Sequence, residues 1–410
     1  MKFIADFHIH SKYSRATSRE MDLDHLVQWA KLKGISLLGT GDFTHYLWLQ
    51  ELKSKLKPAA NGLFSYGEIN FILSTEVSNI YSKDGRGRRV HNVIFAPDFA
   101  SVEKINDGLT GFGKLSADGR PMLGLDCVSL MEIVLGANPD CFVVPAHIWT
   151  PWYSLFGANS GFDSIEECFG QYAKDIYALE TGLSSDPGTN WRWSALDRFS
   201  LISNSDAHSP SRLGREANVF DCELDYYTIL DVLKKKDKRR FLSTVEFFPQ
   251  EGKYHFDGHR NCNILYSPAE SRSKNNVCPV CARPLTIGVM HRVEQLGDRP
   301  EGYVLEGAVP FKNLIPLDEI IAEAKGMGKA AQSVEQEYRL MIQKLGSEFD
   351  ILVNVPEEEL IKSSAPRIAK GILNVRQGKV KIVPGYDGVY GKLEIFGEED
   401  TKAEKQLTLF

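Results

Sequence analysis

Over residues 1 to 245 of this 410-residue chain, short apolar runs alternate with amphipathic stretches, and that rhythm constrains the fold more than any other feature. Runs at 2–10, 35–40, 70–77, 90–96, 141–146, 176–180 and 199–203 read as strands. Helical periodicity separates several of them, as at 24–33 and 226–236, and Asp22-Leu23-Asp24 ahead of the apolar Leu26, Val27 and Ala30 marks a helix start. Strands alternating with helices make an α/β domain of barrel-like form. The length suits two or three domains, and 43% hydrophobic residues suffice for sizeable cores.

What the strands carry at their ends narrows the chemistry. Asp6, His8 and His10 alternate along the first strand, so regular pleating puts them on one face. Asp42 and His45 follow the second run, Glu76 ends the third, His91 lies in the fourth, His147 follows the fifth, and Asp206 and His208 follow the last. Six of the ten histidines thus sit at strand ends or in ligand-like pairs. Side chains from successive strands converge at a barrel mouth, and imidazole with carboxylate suits zinc, manganese or iron. Clustered divalent ions acidify water and neutralise phosphoryl charge, so the expected chemistry is that of a phosphoesterase.

Asp6-Phe7-His8-Ile9-His10-Ser11 and Ser205-Asp206-Ala207-His208 resemble the opening and closing signatures of the polymerase-and-histidinol-phosphatase (PHP) superfamily. The resemblance implies a distorted (β/α)7 barrel with divalent metals, up to three, of the Zn, Mn or Mg type. It implies one ion on His8, His10 and Asp206, a second on His91 and His147 with Glu76 bridging, and a third near Asp42 and His208. It casts Asp206, His8, His10 and Glu76 as the catalytic set. The chain departs from the common pattern at Ser14-Arg15, where many PHP domains carry a ligand, and at Thr40-Gly41-Asp42, where many read Thr-Asp-His.

The strand–helix rhythm stops near 249. Residues 253–300 are rich in turn formers and carry seven Lys/Arg against four Asp/Glu. His259-Arg260-Asn261-Cys262 and Cys278-Pro279-Val280-Cys281, fifteen residues apart, are the two halves of a tetrahedral zinc site. Paired cysteines in a chain read as cytosolic favour metal over a disulfide. Four ligands leave no vacancy, so this zinc is structural, with His255 the alternative to His259 as fourth ligand. Cys127, Cys141, Cys168 and Cys222 lie in apolar contexts and read as buried thiols. Residues 301–396 read as mainly helical, at 317–325, 334–345 and 357–375, and end in a hairpin of 379–383 with 389–396. The expected division is a barrel over 1–248, a zinc-ribbon-like domain over 249–300, a helical domain over 301–396 and a flexible tail over 397–410.

The order of parts resembles endonuclease Q over nearly the whole chain. A barrel is followed by Cys278-Pro279-Val280-Cys281-Ala282-Arg283-Pro284-Leu285, then Gly288-Val289-Met290-His291-Arg292-Val293, and finally Pro384-Gly385-Tyr386-Asp387-Gly388-Val389-Tyr390-Gly391. The resemblance implies a DNA repair endonuclease that recognises uracil, hypoxanthine, xanthine and abasic sites and cuts the phosphodiester 5′ of the lesion. Enzymes that read a damaged base extrude it from the stack. Trp149, Trp152 and Tyr153, just after a ligand-bearing strand, are the candidates for its pocket. Arg283, His291, Arg292 and the basic run at 234–240 are candidate phosphate contacts. The alternative is a PHP phosphomonoesterase of the histidinol-phosphatase kind, an activity that needs neither the zinc module nor the helical region.

A net charge of −6 is low for a DNA-binding protein, but DNA feels the local field, and bound cations cancel clustered carboxylates. With no run of eighteen apolar residues and no apolar leader, the expected location is cytoplasmic and nucleoid-associated. The last residues, Lys405-Gln406-Leu407-Thr408-Leu409-Phe410, resemble the peptide by which bacterial proteins bind the replication sliding clamp. Its anchors are Gln406, Leu407, Leu409 and Phe410, beyond a charged tether.

Overall fold

The computed structural model describes residues 1–397. Each of the seven apolar runs contains a strand: β1 (Lys2–Asp6), β2 (Leu37–Gly39), β3 (Ile69–Lys83), β4 (Arg86–Ala96), β5 (Phe142–Pro145), β6 (Ala178–Glu180) and β7 (Ser200–Ile202). β1, β2 and β3 pair in parallel, β3 turns back on β4, and β5 runs antiparallel to β4. The Ile148 amide donates to the Glu180 carbonyl, linking the end of β5 to β6, and β6 pairs in parallel with β7. The ring closes where Ile9 bridges Ala207 and the His10 amide donates to the Ala207 carbonyl at 3.0 Å. Two further strands, β8 (Ala217–Asp221) and β9 (Phe241–Glu246), extend the sheet outward from β1, which distorts the barrel.

Every strand of the ring sends a side chain into one core: Phe3 and Ala5, Leu37, Ile72, Val93 and Phe95, Phe142 and Val144, Ala178, and Ile202. Phe95 stacks on Phe142 at 4.4 Å and lies edge-on to Phe7. The helix Tyr226–Lys235, capped by Asp225, adds Ile229, Leu230 and Leu233 to the same core. Each such side chain, fully buried, contributes about 1.5–3 kcal/mol. With the centre filled, polar groups collect at the strands' C-terminal ends.

Past the barrel, Asp257–His259 and Ile264–Tyr266 form a small hairpin, followed by the helix Val289–Leu296. Phe311–Asn313 then returns to the barrel sheet, parallel to β9. Helices Leu317–Lys325 and Gln332–Leu345 fall where periodicity places them. The single helix expected over 357–375 is two, Glu357–Ser363 and Pro366–Arg376. Pro366 has no amide hydrogen to continue the first helix and sits instead at the start of the second. The closing hairpin pairs Lys381–Val383 with Lys392–Glu394, shorter than expected. Among the described residues no helix is long and apolar enough to cross a membrane. The residues expected to bind a clamp, Gln406, Leu407, Leu409 and Phe410, lie outside the described residues.

Candidate metal centre

Regular pleating ends at Asp6, so the expected shared face of Asp6, His8 and His10 does not persist. The Asp6 carboxylate turns to the closing loops, accepting from the amides of Ser205 (3.0 Å) and Gly214 (2.9 Å). His8 and His10 instead meet Glu76 and Asp206, and one ligand atom from each of the four lies within 4.8 Å of the others. Glu76 also meets His91 and His147 in a second group of the same tightness. Its two oxygens divide between the groups. Oε1 lies 2.7 Å from His91 Nδ1 and 3.1 Å from His147 Nε2, while Oε2 lies 3.2 Å from His10 Nε2 and 3.4 Å from His8 Nε2.

Behind each histidine of the first group stands a carboxylate. His8 Nδ1 lies 3.0 Å from Glu180, and His10 Nδ1 lies 3.0 Å from Asp42. A carboxylate there keeps the proton on Nδ1 and aims the Nε2 lone pair forward, the arrangement that orients metal-binding imidazoles. Asp42, expected near a third ion, thus stands behind His10 and outside both donor groups. Its other oxygen accepts from the Ser11 amide (2.6 Å), the Ser11 hydroxyl (2.7 Å) and the Ser14 hydroxyl (2.9 Å). His208 joins neither group: its Nδ1 donates to the Asp206 carbonyl at 2.9 Å and its ring packs 4.5 Å from that of His10. His45 also stands apart, stacked on Tyr13.

His10 Nε2 lies 3.1 Å from Asp206 Oδ1, yet neither of these buried atoms, nor His8 Nε2, has a partner in hydrogen-bonding geometry among the described residues. Unpartnered buried polar atoms are costly, and imidazole with carboxylate is the donor chemistry of first-row divalent ions. These residues fit such an ion. Burial disfavours the Glu76 carboxylate, but the facing imidazoles and the Arg120 guanidinium hold it well below the usual range. Burial pushes His91 down to about 4, against the pull of Glu76. Asp42, His147 and Asp206 all have positive φ (51°, 32° and 47°), a conformation costing of order 1–3 kcal/mol that concentrates at functional sites.

Sequence reasoning missed two members of this centre. Glu180 ends β6, so the strand-end signal extends to it, whereas Glu76, expected at a strand end, lies inside the longer β3. Arg120, whose Nη1 donates to Glu76 Oε2 at 3.0 Å, lies in an irregular loop that gives no local signal.

In the small module, one ligand atom each from His259, Cys262, Cys278 and Cys281 gathers within 4.8 Å. Burial works against ionising Cys278, but the amides of Cys281 and Val280 and the neighbouring thiols pull it down to about 6. His255 is not in this group; it is buried, and burial pushes it down to about 4.

The chain is similar over 98% of its length to two solved structures. One is the lesion-specific endonuclease PfuEndoQ of Pyrococcus furiosus, 32% identical, covering 98% of this chain and 99% of that one at a TM-score of 0.86. The other is an endonuclease Q in complex with a 27-mer duplex bearing an abasic lesion at the active site, 32% identical, covering 98% of both chains at a TM-score of 0.87.

The chain belongs to the endonuclease Q family.

Endonuclease Q is a metal-dependent endonuclease, and the chain is an enzyme of that class. Residues 316–379 match the family described as the MJ0043 C-terminal domain. The protein MJ0043 of Methanocaldococcus jannaschii is 33% identical over 283 residues, which are 67% of this chain but only 34% of that protein, so the match spans about a third of its length. YqxK of Bacillus subtilis is 29% identical over 96% of this chain and 99% of its own.

Around the endonuclease Q centre, the three aromatic candidates separate. Trp149 is fully buried, donates to Asn190 Oδ1 at 2.8 Å and packs on Phe156 and Trp193; it is core rather than pocket wall. Tyr153 lies 4.9 Å from the His91 ring, and Trp152, 37% exposed, meets Tyr254 of the zinc module edge-on. Arg292 and His291 are not free for phosphate. Arg292 is buried and donates to the carbonyls of Phe156 and Phe162 (both 3.0 Å), while His291 pairs with Asp257 at 2.5 Å. In the run 234–240, Lys235 and Arg240 pair with Asp231, and Lys236 reaches the Asp197 carbonyl. Arg283 remains exposed.

Proposed function

We propose that the chain is a DNA repair endonuclease that hydrolyses the phosphodiester 5′ of a deaminated base (uracil, hypoxanthine or xanthine) or an abasic site. The observation that carries this reading is the match of 98% of the chain to an endonuclease Q bound to a duplex with an abasic lesion at its active site. The two donor groups sharing Glu76 support it from the chain's own chemistry.

In this reading His8, His10, Asp206 and Glu76 hold one divalent ion, and Glu76, His91 and His147 a second. Zinc, manganese and magnesium are the candidates. Such ions, when bound, acidify water and neutralise phosphoryl charge. Glu180 and Asp42 hold the His8 and His10 imidazoles in place. Glu76 sets the separation of the two groups. The rim of Tyr153 and Trp152 receives the extruded base, a role that suits flat aromatic faces. A structural zinc on His259, Cys262, Cys278 and Cys281 folds the module over 249–300, between a barrel over 1–248 and a helical part over 301–396. The tail anchors Gln406, Leu407, Leu409 and Phe410 bind a bacterial sliding clamp.

Nicking of end-labelled duplexes carrying uracil, hypoxanthine, xanthine, an abasic site or no lesion, in manganese with and without chelator, tests the central claim. The expected result is chelator-sensitive cleavage 5′ of each lesion and an intact undamaged duplex. Asp206→Ala abolishes the cleavage while most duplex affinity, which comes from phosphate contacts, persists. Equal nicking of damaged and undamaged DNA, or none of either, overturns the reading.

A further inference from the structure

Arg120 stands at the centre in a way that the ligand set does not explain. Its guanidinium donates to Glu76 Oε2 at 3.0 Å, on the very carboxylate that both donor groups share. Glu76 is fully buried, whereas the Arg120 side chain is 29% exposed, so Arg120 joins the buried centre to the solvent side. The loop that carries it is pinned on both sides. The Gly119 amide donates to the Tyr13 carbonyl, the Thr44 hydroxyl to the Gly119 carbonyl, and the Ser78 amide to the Pro121 carbonyl. A Cβ on Gly119 would collide with the Asp42 carboxylate, so the backbone beside Arg120 is packed directly against the group that orients His10.

Two divalent ions sharing Glu76 would put several positive charges within a few ångströms of the guanidinium. At such distances like charges repel even at a moderate effective dielectric. Arg120 and the ions therefore compete for one carboxylate. An arginine driven off Glu76 keeps its place over the mouth, with a planar fork of donors matched to a phosphate.

We propose that Arg120 is a placeholder cation that neutralises Glu76 before metal enters and then moves onto the non-bridging oxygens of the scissile phosphate as a catalytic residue. The phosphate's identity rests on the repair reading above; the competition with metal does not.

Full-length Arg120→Gln and Arg120→Lys, compared with the unaltered chain, separate the two halves. Manganese and zinc affinities come from competition with a chelating fluorophore. Arg120→Gln binds metal severalfold more tightly, because a competitor for Glu76 is gone. Unchanged or weaker binding overturns the placeholder role, whether or not any form of the chain cuts DNA. Single-turnover nicking of an abasic duplex at saturating metal reads the second half. Arg120→Gln slows it by about a hundredfold to a thousandfold, the loss typical of one transition-state donor, with duplex affinity changed less than about threefold. Arg120→Lys keeps the charge without the fork and falls between. Nicking by Arg120→Gln at the unaltered rate overturns the catalytic role. Failure of the unaltered chain to nick points instead to the repair reading, and the metal titration still decides the first half.

Discussion

Glu76 is fully buried, yet each of its oxygens faces a different set of imidazoles, which makes one side chain responsible for the geometry of both donor groups. Such a centre depends on residues that touch no ion. Glu180 holds His8 through both carboxylate oxygens (3.0 and 3.1 Å) and also accepts from the His147 amide at 2.9 Å and Asn204 at 2.8 Å. Glu180→Gln preserves that shape and removes the charge behind His8. Outer carboxylates of this kind are worth roughly 10–100-fold in metal affinity. Titration of the metal-free variant with zinc or manganese should show a loss in that range; affinity equal to the parent's would mean that Glu180 only packs.

At the scale of elements, two local assemblies carry separate predictions. With the zinc proposed above, folding of the module over 249–300 would be coupled to its ion. Cys278→Ser removes one thiolate from the group of His259, Cys262 and Cys281. Elemental analysis should find one zinc fewer per chain, and hydrogen exchange should quicken across 253–300; retained zinc would remove the assignment. At the end of β9, Glu246 is fully buried, accepting from the Ser203 hydroxyl at 2.5 Å and the Thr181 hydroxyl at 3.2 Å. Burial raises its pKa from 4.5 to about 8. The folded state thus holds a proton that the unfolded chain loses earlier. Below pH 4.5 both states are protonated and nothing is lost; between 4.5 and about 8 stability falls, by up to about 1.4 kcal/mol per pH unit. Glu246→Gln is neutral at every pH, so its melting temperature should decline less than the parent's from pH 5 to 8. Parallel curves for the two proteins would contradict a buried neutral Glu246.

Across the whole molecule, the three expected parts are stitched rather than strung. Lys33 of the barrel and Glu348 form an ion pair at 2.7 Å, buried on both sides, and Glu348 also accepts from the Tyr338 hydroxyl at 2.7 Å and the Leu317 amide at 3.1 Å. Arg292 bolts the zinc module to the loop after β5, and Phe311–Asn313 adds an edge to the barrel sheet. The proposed clamp peptide lies outside the described residues. Deleting 406–410 should leave nicking of short lesion duplexes unchanged and abolish binding to a bacterial sliding clamp. Its apolar anchors Leu409 and Phe410 would supply about 1.5–3 kcal/mol each on burial. Equal clamp affinity for both forms would refute the motif; lost nicking would place the tail in the catalytic body.

The sequence by itself determined whatever depends on neighbours along the chain. The seven strands and the helix Leu317–Lys325 follow from apolar periodicity, and the zinc half-sites from two short spacings. The residue types of the centre were legible for the same reason, since the ligands lie in or just after apolar runs. Only the tertiary structure decided which ligand-like residues face the centre. His8 meets Glu180 across 172 residues and Ser205 meets Asp6 across 199. Local pattern cannot encode such contacts, because the closing of the ring sets them. That closure turned Asp6 away, put Asp42 behind His10, sank Trp149 into the core and carried Arg120 from an unpatterned loop to Glu76. A carboxylate at a strand end is equally suited to hold a metal or to hold the imidazole that does. Which one it does depends on a few ångströms that packing alone determines.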